Sequence, residues 1–302
     1  MTTDGKRTEA DMTDAPTPTP AAVVIAHDKP RQLRRLIDAI DPMPVFLHVD
    51  ANTPAALFEQ MTADLPQRVR LLPRQRCGWA TYGVLAAELQ GYRAALEHTD
   101  AAHIALLSGA DYPLASTRDI EAALAARAGR SFVEFFRLPQ RRWPPLAGYD
   151  RFYFRNWPWR RHRLLLPIPR RIPAGLRPAG GSPSKILARG HAERLLAVLD
   201  ARPEIERFFR RAWAPDEVLV PTVLTSPAVS PDWDDETAGA APAFFIDWGV
   251  IPKKNPPWLG PADFDRIAQA ARRTDSPALF ARKFADDADE ITGRIDAELR
   301  GG

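Results

Sequence analysis

Residues 21–50 read AAVVIAHDKPRQLRRLIDAIDPMPVFLHVD. An apolar, β-favouring run at 21–26 meets a polar turn, a segment of helical period follows over 30–40, and a second apolar run closes on Asp50. The text then continues with helical period at 54–65 and another short apolar run, RVRLLP. Strand, helix, strand, helix, strand is the rhythm of a parallel sheet covered by helices. Further out, Tyr82, Leu85, Leu89, Tyr92 and Leu96 recur at steps of three and four, which predicts a helix over 82–97 with one apolar stripe. HIALLSG (103–109) reads as a buried strand ending in a small-residue turn, with Asp111 beyond it and a helix opening near Ser116. SFVEFF (131–136) reads as a further strand. The expected fold class is therefore α/β, and residues 21–136 form its nucleotide-binding half, in which ligands sit beyond the carboxyl ends of the strands.

Composition narrows the function classes. At 302 residues and 45% hydrophobic content the chain holds enough apolar surface for one large or two small domains, which excludes a disordered chain or a disulfide-stapled miniprotein. A net charge of +3 is too small to mark the whole protein as a nucleic-acid binder, and no nucleic-acid partner is expected. Cys77 is the single cysteine, so an intrachain disulfide and a Cys-rich zinc site are both ruled out. Residues 1–20 are read as a disordered tail without the apolar core of a signal peptide, and no stretch reaches the roughly 18 to 20 apolar residues of a spanning helix. A soluble, cytoplasmic protein is the expectation. Six of the 41 basic residues are lysine and the other 35 arginine, which draws attention to each lysine. The 30 prolines are about twice the usual share and imply many turns.

Residues 137–180 break the βα rhythm. They carry eleven arginines against one acid, Asp150, with Trp143, Tyr149, Phe152, Tyr153, Phe154, Trp157 and Trp159 interleaved. Three readings stay open for this Arg- and aromatic-rich insertion: a solvated loop with local aromatic packing, an acceptor-binding arm or interfacial patch suited to anionic lipid head groups, or a stacking surface for single-stranded nucleic acid. Nothing elsewhere in the sequence favours the last. Helical period returns at 191–199 and 203–213, AFFIDW (243–248) reads as a strand, and charged helices are expected near 261–273 and 286–299. The expected organisation is thus a tail over 1–20, the nucleotide-binding half over 21–136, the insertion over 137–180, a catalytic and acceptor half over 181–287, and a closing helix over 288–302.

Four short runs carry candidate chemistry. Asp50, in HVD, either caps the next turn or accepts hydrogen bonds from a ribose or base edge. Asp111, in LLSGADYPL, either initiates a helix or binds sugar hydroxyls at the mouth of the sheet. In APDEVLV (214–220), Pro215 opens a helix whose first turn holds Asp216 and Glu217. These acids either compensate the helix dipole or supply a carboxylate that acts as a general base. One base suffices for an inverting displacement at an anomeric carbon, whereas glycoside hydrolysis normally needs two carboxylates in apposition. In LFARKFADD (279–287), Leu279, Phe280 and Phe284 frame Arg282 and Lys283, a basic pair whose natural partner is an anion such as a diphosphate. PKKNPP (252–257) supplies two more lysines.

Taken in order, VVIAHDKPRQLRRLIDAID with FLHVD, RCGWATYGVLAAELQGYRAAL, LLSGADYPLAS, GSPSKILARGHAERLL, APDEVLVPTVL, FFIDW and LFARKFADD resemble the core-2/I-branching N-acetylglucosaminyltransferase and peptide O-xylosyltransferase family over nearly all of the ordered chain. The resemblance implies a GT-A-like fold with a Rossmann-type, mostly parallel sheet, a UDP-sugar donor, inversion at the anomeric carbon and no metal. It implies that Glu217 is the catalytic base, that Lys283 contacts the donor diphosphate, and that Asp50 belongs to the nucleoside pocket. A second basic residue normally shares the diphosphate, and the spacing points to Lys254 or Lys253. On this reading His27, Asp50, Asp111, Lys254, Arg282 and Lys283 serve the donor, while Asp216 and Trp248 serve the acceptor. HIALLSGAD offers only Asp111 where metal-dependent relatives of this fold carry Asp-x-Asp, and the Asp-x-Asp runs at 232–234 and 287–289 are read as solvated acids. No cofactor beyond the UDP-sugar is expected.

The chain departs from the family in having Pro183, Ser184 and Lys185 where bulky aromatics are common after Gly-Ser, and the membrane anchor and disulfides of the eukaryotic members are not expected in it. The expected acceptor is a cell-surface glycan or glycolipid precursor made in a bacterial cytoplasm, with peripheral contact at the inner membrane through residues 137–180. The competing reading is a polyanion- or membrane-surface-binding protein on a catalytically degenerate transferase scaffold.

Overall fold

A computed structural model of the chain describes residues 19–144, 146–159, 162–233, 243–248 and 255–301. The first elements follow the hydrophobic pattern: β1 (Ala21–Ala26), α1 (Pro30–Ala39), β2 (Val45–Val49), α2 (Ala55–Thr62), β3 (Val69–Leu71), α3 (Tyr82–His98) and β4 (His103–Ser108). Pro30 opens α1 with its fixed φ, and Leu33, Leu36 and Ile37 bury one face of it. The short β5 (Asp111–Pro113) precedes α4 (Thr117–Ala125), which is capped by Ser116, whose Oγ accepts the Asp119 N–H at 3.2 Å.

Then come β6 (Phe132–Arg137), the single turn α5 (Asp150–Tyr153), the hairpin strands β7 (Phe154–Trp159) and β8 (His162–Pro169), and the long β9 (Ala179–Ala188). Helices α6 (Arg189–Ala201), α7 (Pro203–Phe209) and α8 (Pro215–Leu224) follow, and the described chain closes with β10 (Phe244–Ile246), α9 (Phe264–Ala271), β11 (Phe280–Arg282) and α10 (Asp289–Ile295).

The main sheet has six strands in the order β3-β2-β1-β4-β9-β6. Strands β3, β2, β1 and β4 are parallel neighbours, while β9 runs antiparallel to both β4 and β6. The sheet is thus mostly parallel and covered by helices on both faces, the α/β class expected from residues 21–50. Alternate residues of β1 serve the two faces. Ala21 and Val23 join the cluster formed with α3, α6 and α8, and Ala22, Val24 and Ala26 join that formed with α1, α2 and α4. Gly91 lets α3 lie directly on β1, because a Cβ there would stand 2.2 Å from Val23 Cγ1.

A second sheet in the order β10-β11-β5 sits over a third apolar cluster that includes Tyr112, Phe264, Phe284 and Ile291. Its register sets Arg282 across from Asp111. The expected insertion is woven into this fold: β6 ends on Arg137, inside that segment, and β9 begins there at Ala179. No helix among the described residues is long and apolar enough to cross a membrane.

Candidate active site

At the carboxyl edge of the parallel strands lies a cleft of about 600 Å³. His27 and Asp28 follow β1, Asp50 follows β2, and Ser108 to Ala110 end β4; the first turn of α8 and the end of β11 complete the walls. Of the residues expected to carry chemistry, His27, Asp50, Asp216, Glu217, Trp248, Arg282 and Lys283 all line this one cleft. Lys254, like Lys253 and Asp234, lies outside the described residues.

Glu217 occupies the first turn of α8. The chain enters that helix through Ala214 in the left-handed region (φ 46°), held by its N–H donating to the Ala80 carbonyl at 3.0 Å. Pro221 inside the helix has no N–H to give to the Glu217 carbonyl one turn back. The Glu217 side chain is 29% exposed, with Oε2 3.9 Å from the Arg151 guanidinium. Burial, and secondarily the neighbouring Asp216 carboxylate, push its carboxyl up to about 7, against the opposing fields of Arg151 and Lys185. A carboxylate that titrates near neutrality is matched to taking a proton from a hydroxyl.

Asp216 is raised as well, mainly by burial, and its Oδ1 has no hydrogen-bond partner among the described residues. Beneath the two acids Lys185 is fully buried. Its ammonium donates to Glu88 Oε1 at 2.9 Å and to the Asp216 carbonyl at 3.4 Å. Burial raises the Glu88 carboxyl, and the Lys185 charge opposes that shift.

Around the sheet edge, Asp50 Oδ1 accepts the Asn52 N–H at 2.8 Å, the Asn52 side-chain amide at 3.0 Å and the Cys77 N–H at 3.0 Å. Asp50 therefore closes its own turn and also fixes the Cys77 loop on the cleft wall. His48 supports the same loop by accepting the Gln75 N–H at Nε2, and burial lowers its pKa. Burial, reinforced by Asp50 and Asp216, pushes the Cys77 thiol up to about 12, so it stands in the wall as a thiol and not as a thiolate nucleophile.

Asp111 differs from its expected place. It is fully buried, lies behind the cleft lining, and has both oxygens committed, Oδ2 to the Ser108 N–H at 2.9 Å and Oδ1 to the Ser108 hydroxyl at 2.6 Å. Arg282 Nη1 stands 3.7 Å from Oδ1. The carboxyl thus stands beside a cleft cation, because β5 and β11 pair and face it inward.

Lys283 Nζ lies 4.1 Å from the centre of the Trp258 ring, and Lys29 Nζ 5.6 Å from the same ring. Burial, together with the nearby Arg282 and Lys29, lowers the Lys283 pKa, and Asp28 opposes the shift.

Four features escaped the sequence. Arg151 comes from the arginine-rich segment and reaches Glu217 over the Trp143 ring, 3.9 Å from its centre. Lys185 and Lys29 were both visible as rare lysines, but Glu88, which pairs with Lys185, and the Trp258 ring near Lys29 are distant in sequence, whereas the Asp28 carboxylate that Lys29 meets at 3.1 Å is its neighbour. Trp79 packs edge-on against Trp213 at 5.1 Å on the cleft wall, a pairing of residues 134 apart that no local pattern signals.

Among the described residues no cluster of three or more His, Cys, Asp or Glu side chains is placed to hold a metal ion. Of the acids read as solvated, Asp232 pairs with Arg194 at 2.9 Å, Asp287 is exposed, and Asp289 pairs with Arg31 and Arg35 at 2.9 and 2.6 Å.

Among the described residues, a ligand-sized cleft with a raised carboxyl and cations lies at the carboxyl edge of the sheet, at the topological switch point where open α/β folds take their ligands. The chain belongs to the Core-2/I-Branching enzyme family, whose model matches residues 24–268, and it is accordingly a glycosyltransferase. No curated protein matches it. Among solved structures it is similar to HddC from Yersinia pseudotuberculosis, at 10% identity over 57% of this chain and 79% of that one, with a TM-score of 0.28. It is also similar to a putative glucose-1-phosphate thymidylyltransferase from Bacillus anthracis in complex with a sucrose, at 9% identity over 63% and 80%, with a TM-score of 0.32.

Proposed function

We infer that the protein moves a sugar, N-acetylglucosamine or xylose, from a UDP-sugar to a hydroxyl of a cell-surface glycan or glycolipid precursor in the cytoplasm, with inversion and without a metal. The observation that carries this reading is Glu217, a carboxyl poised near neutrality in the cleft that also holds Arg282 and Lys283. Glu217 takes the acceptor hydroxyl proton as the acceptor oxygen bonds to the anomeric carbon. The bond from that carbon to the diphosphate oxygen breaks, and UDP leaves with the electron pair. Its growing negative charge is met by Lys283 and by Arg282, which Asp111 holds in place. Cations fixed before the reaction act on the charge that develops in the transition state, which is where such interactions raise the rate. Asp216 and Trp248 serve the acceptor; His27 and Asp50 serve the nucleoside and sugar of the donor.

Calorimetric titration with UDP tests the donor side. The expected result is micromolar binding that Lys283→Ala abolishes, together with transfer from one sugar of a UDP-sugar panel that survives excess EDTA. Absence of nucleotide binding, with salt-sensitive binding to vesicles or oligonucleotides in its place, contradicts the reading and favours a polyanion-binding protein on a degenerate scaffold. Loss of transfer in EDTA that Mn²⁺ restores overturns metal independence alone.

A further inference from the structure

We propose that the β7–β8 ribbon and the segment leading into it form a docking surface for an anionic lipid bilayer. Ten large apolar side chains are exposed among the described residues. Trp79, Trp248 and Trp258 belong to the cleft, and Leu71 stands by itself. The other six, Leu146, Tyr153, Trp157, Leu164, Leu165 and Ile168, fall within 23 consecutive residues, each 38–46% exposed. The register sets Trp157 directly across from Leu164, so these two stand together on one face of the ribbon, while Leu165 faces the other side across from Asn156. A cluster of that kind outside the active site marks an interaction surface.

Charge says what kind. Arg141, Arg142, Arg155, Arg171 and Arg177 are exposed in the same segment, and the one acid of residues 137–180, Asp150, is buried beside Arg151. Apolar and indole side chains rimmed by arginine, with no exposed acid between them, complement a surface of phosphate head groups over hydrocarbon.

The backbone argues against the other use of a two-stranded ribbon, pairing its edges with a second copy of the chain. Pro158, Pro167 and Pro169 remove N–H groups from its strands, which blunts them as templates for strand addition. The same open edges keep the ribbon at head-group depth, since unpaired backbone groups are not tolerated in hydrocarbon.

Hydrogen bonds tie its base to the body of the fold. The Asn156 N–H donates to the Arg211 carbonyl at 3.0 Å. Arg170 donates to the carbonyls of Arg151 and Phe154 at 3.1 and 3.3 Å, and to that of Phe208. Arg151, two residues before Tyr153, lines the cleft beside Glu217. Docking therefore holds the cleft near the lipid surface, where a glycolipid precursor presents its hydroxyls. That last consequence rests on the transferase reading, whereas the docking itself does not.

Co-sedimentation of the full chain with vesicles, without donor or acceptor, tests it. Binding to phosphatidylcholine vesicles containing phosphatidylglycerol is expected, weaker by roughly tenfold or more on phosphatidylcholine alone and weakened by added salt. The double variant Trp157→Asp/Leu164→Asp is expected to lose most of that binding while keeping the wild-type thermal midpoint and UDP affinity. Arg155→Glu/Arg171→Glu, which leaves the apolar face intact, is expected to lose the preference for the anionic lipid. Failure of the wild type to sediment with anionic vesicles overturns the proposal, as does unchanged binding by both variants. Concentration-dependent dimers that Trp157→Asp/Leu164→Asp dissolves, or oligonucleotide binding without vesicle binding, overturn it in favour of a second copy or a nucleic acid.

Discussion

Lys185 and Glu88 offer the sharpest physical test of how the base is held. Both side chains are fully buried and joined at 2.9 Å, and the Lys185 ammonium also supports the Asp216 carbonyl at the entry to α8. Replacing Lys185 by methionine keeps the volume but leaves Glu88 and Asp216 without their buried counter-charge. Breaking one side of a buried pair costs about 3–5 kcal/mol. At roughly 2–4 °C per kcal/mol for a domain of this size, the thermal midpoint falls by about 6–20 °C. Lys185→Met/Glu88→Leu recovers part of that loss, because Glu88 is no longer a buried unpaired charge, while Asp216 still lacks the Lys185 ammonium.

The same substitution acts on chemistry. Lys185 lowers the Glu217 pKa from within the protein, so its loss moves the acid limb of the transfer rate to higher pH than the wild type's midpoint near 7. Glu217 also faces Asp216 and Arg151, which remain in the variant. Thermal and urea unfolding of the two variants, with a pH–rate profile for each that folds, supply the measurements. A single variant within about 1 kcal/mol of wild type, or a double variant no more stable than the single, refutes the buried-pair account.

Two further outcomes follow from the geometry. Gly91→Ala sets a methyl group 2.2 Å from Val23 Cγ1 and is expected to cost about 1–3 kcal/mol in urea unfolding, and a neutral effect contradicts the close packing of α3 on β1. Glu217→Gln is expected to stabilise the fold in a pH-dependent way. The folded-state carboxyl is raised to about 7, so the native protein holds this proton more tightly than the unfolded chain. The cost of ionising it is absent below about pH 4.5, grows as pH rises and is complete above about pH 7. The variant gains about 3 kcal/mol over wild type near pH 8 and almost nothing near pH 4, and an equal gain at both contradicts the raised pKa.

The parallel half of the fold was legible because each of its strands is a short apolar run and each of its helices has one apolar stripe. Ala21 to Ala26 is apolar throughout since both faces of β1 are covered. The candidate acids and cations were legible as motifs, and most converge because the ends of parallel strands and the start of α8 meet at one sheet edge. Asp111 was read toward the ligand because β5 and β11 are three residues each, too short for their pairing to leave a periodic signal, and that pairing is what turns it inward onto Arg282. Arg151 was indistinguishable as one of the eleven arginines of residues 137–180. Lys185 lies 97 residues from Glu88, so its buried partnership had no local trace. The β7–β8 ribbon was hidden by the prolines that interrupt its alternation.

The role of Glu217 as general base is measured by comparing transfer by the wild type and Glu217→Gln at saturating UDP-sugar and acceptor, with UDP affinity determined for both. Unchanged UDP binding and a transfer rate lower by about two orders of magnitude or more are expected of Glu217→Gln. Near-normal transfer by Glu217→Gln contradicts that role.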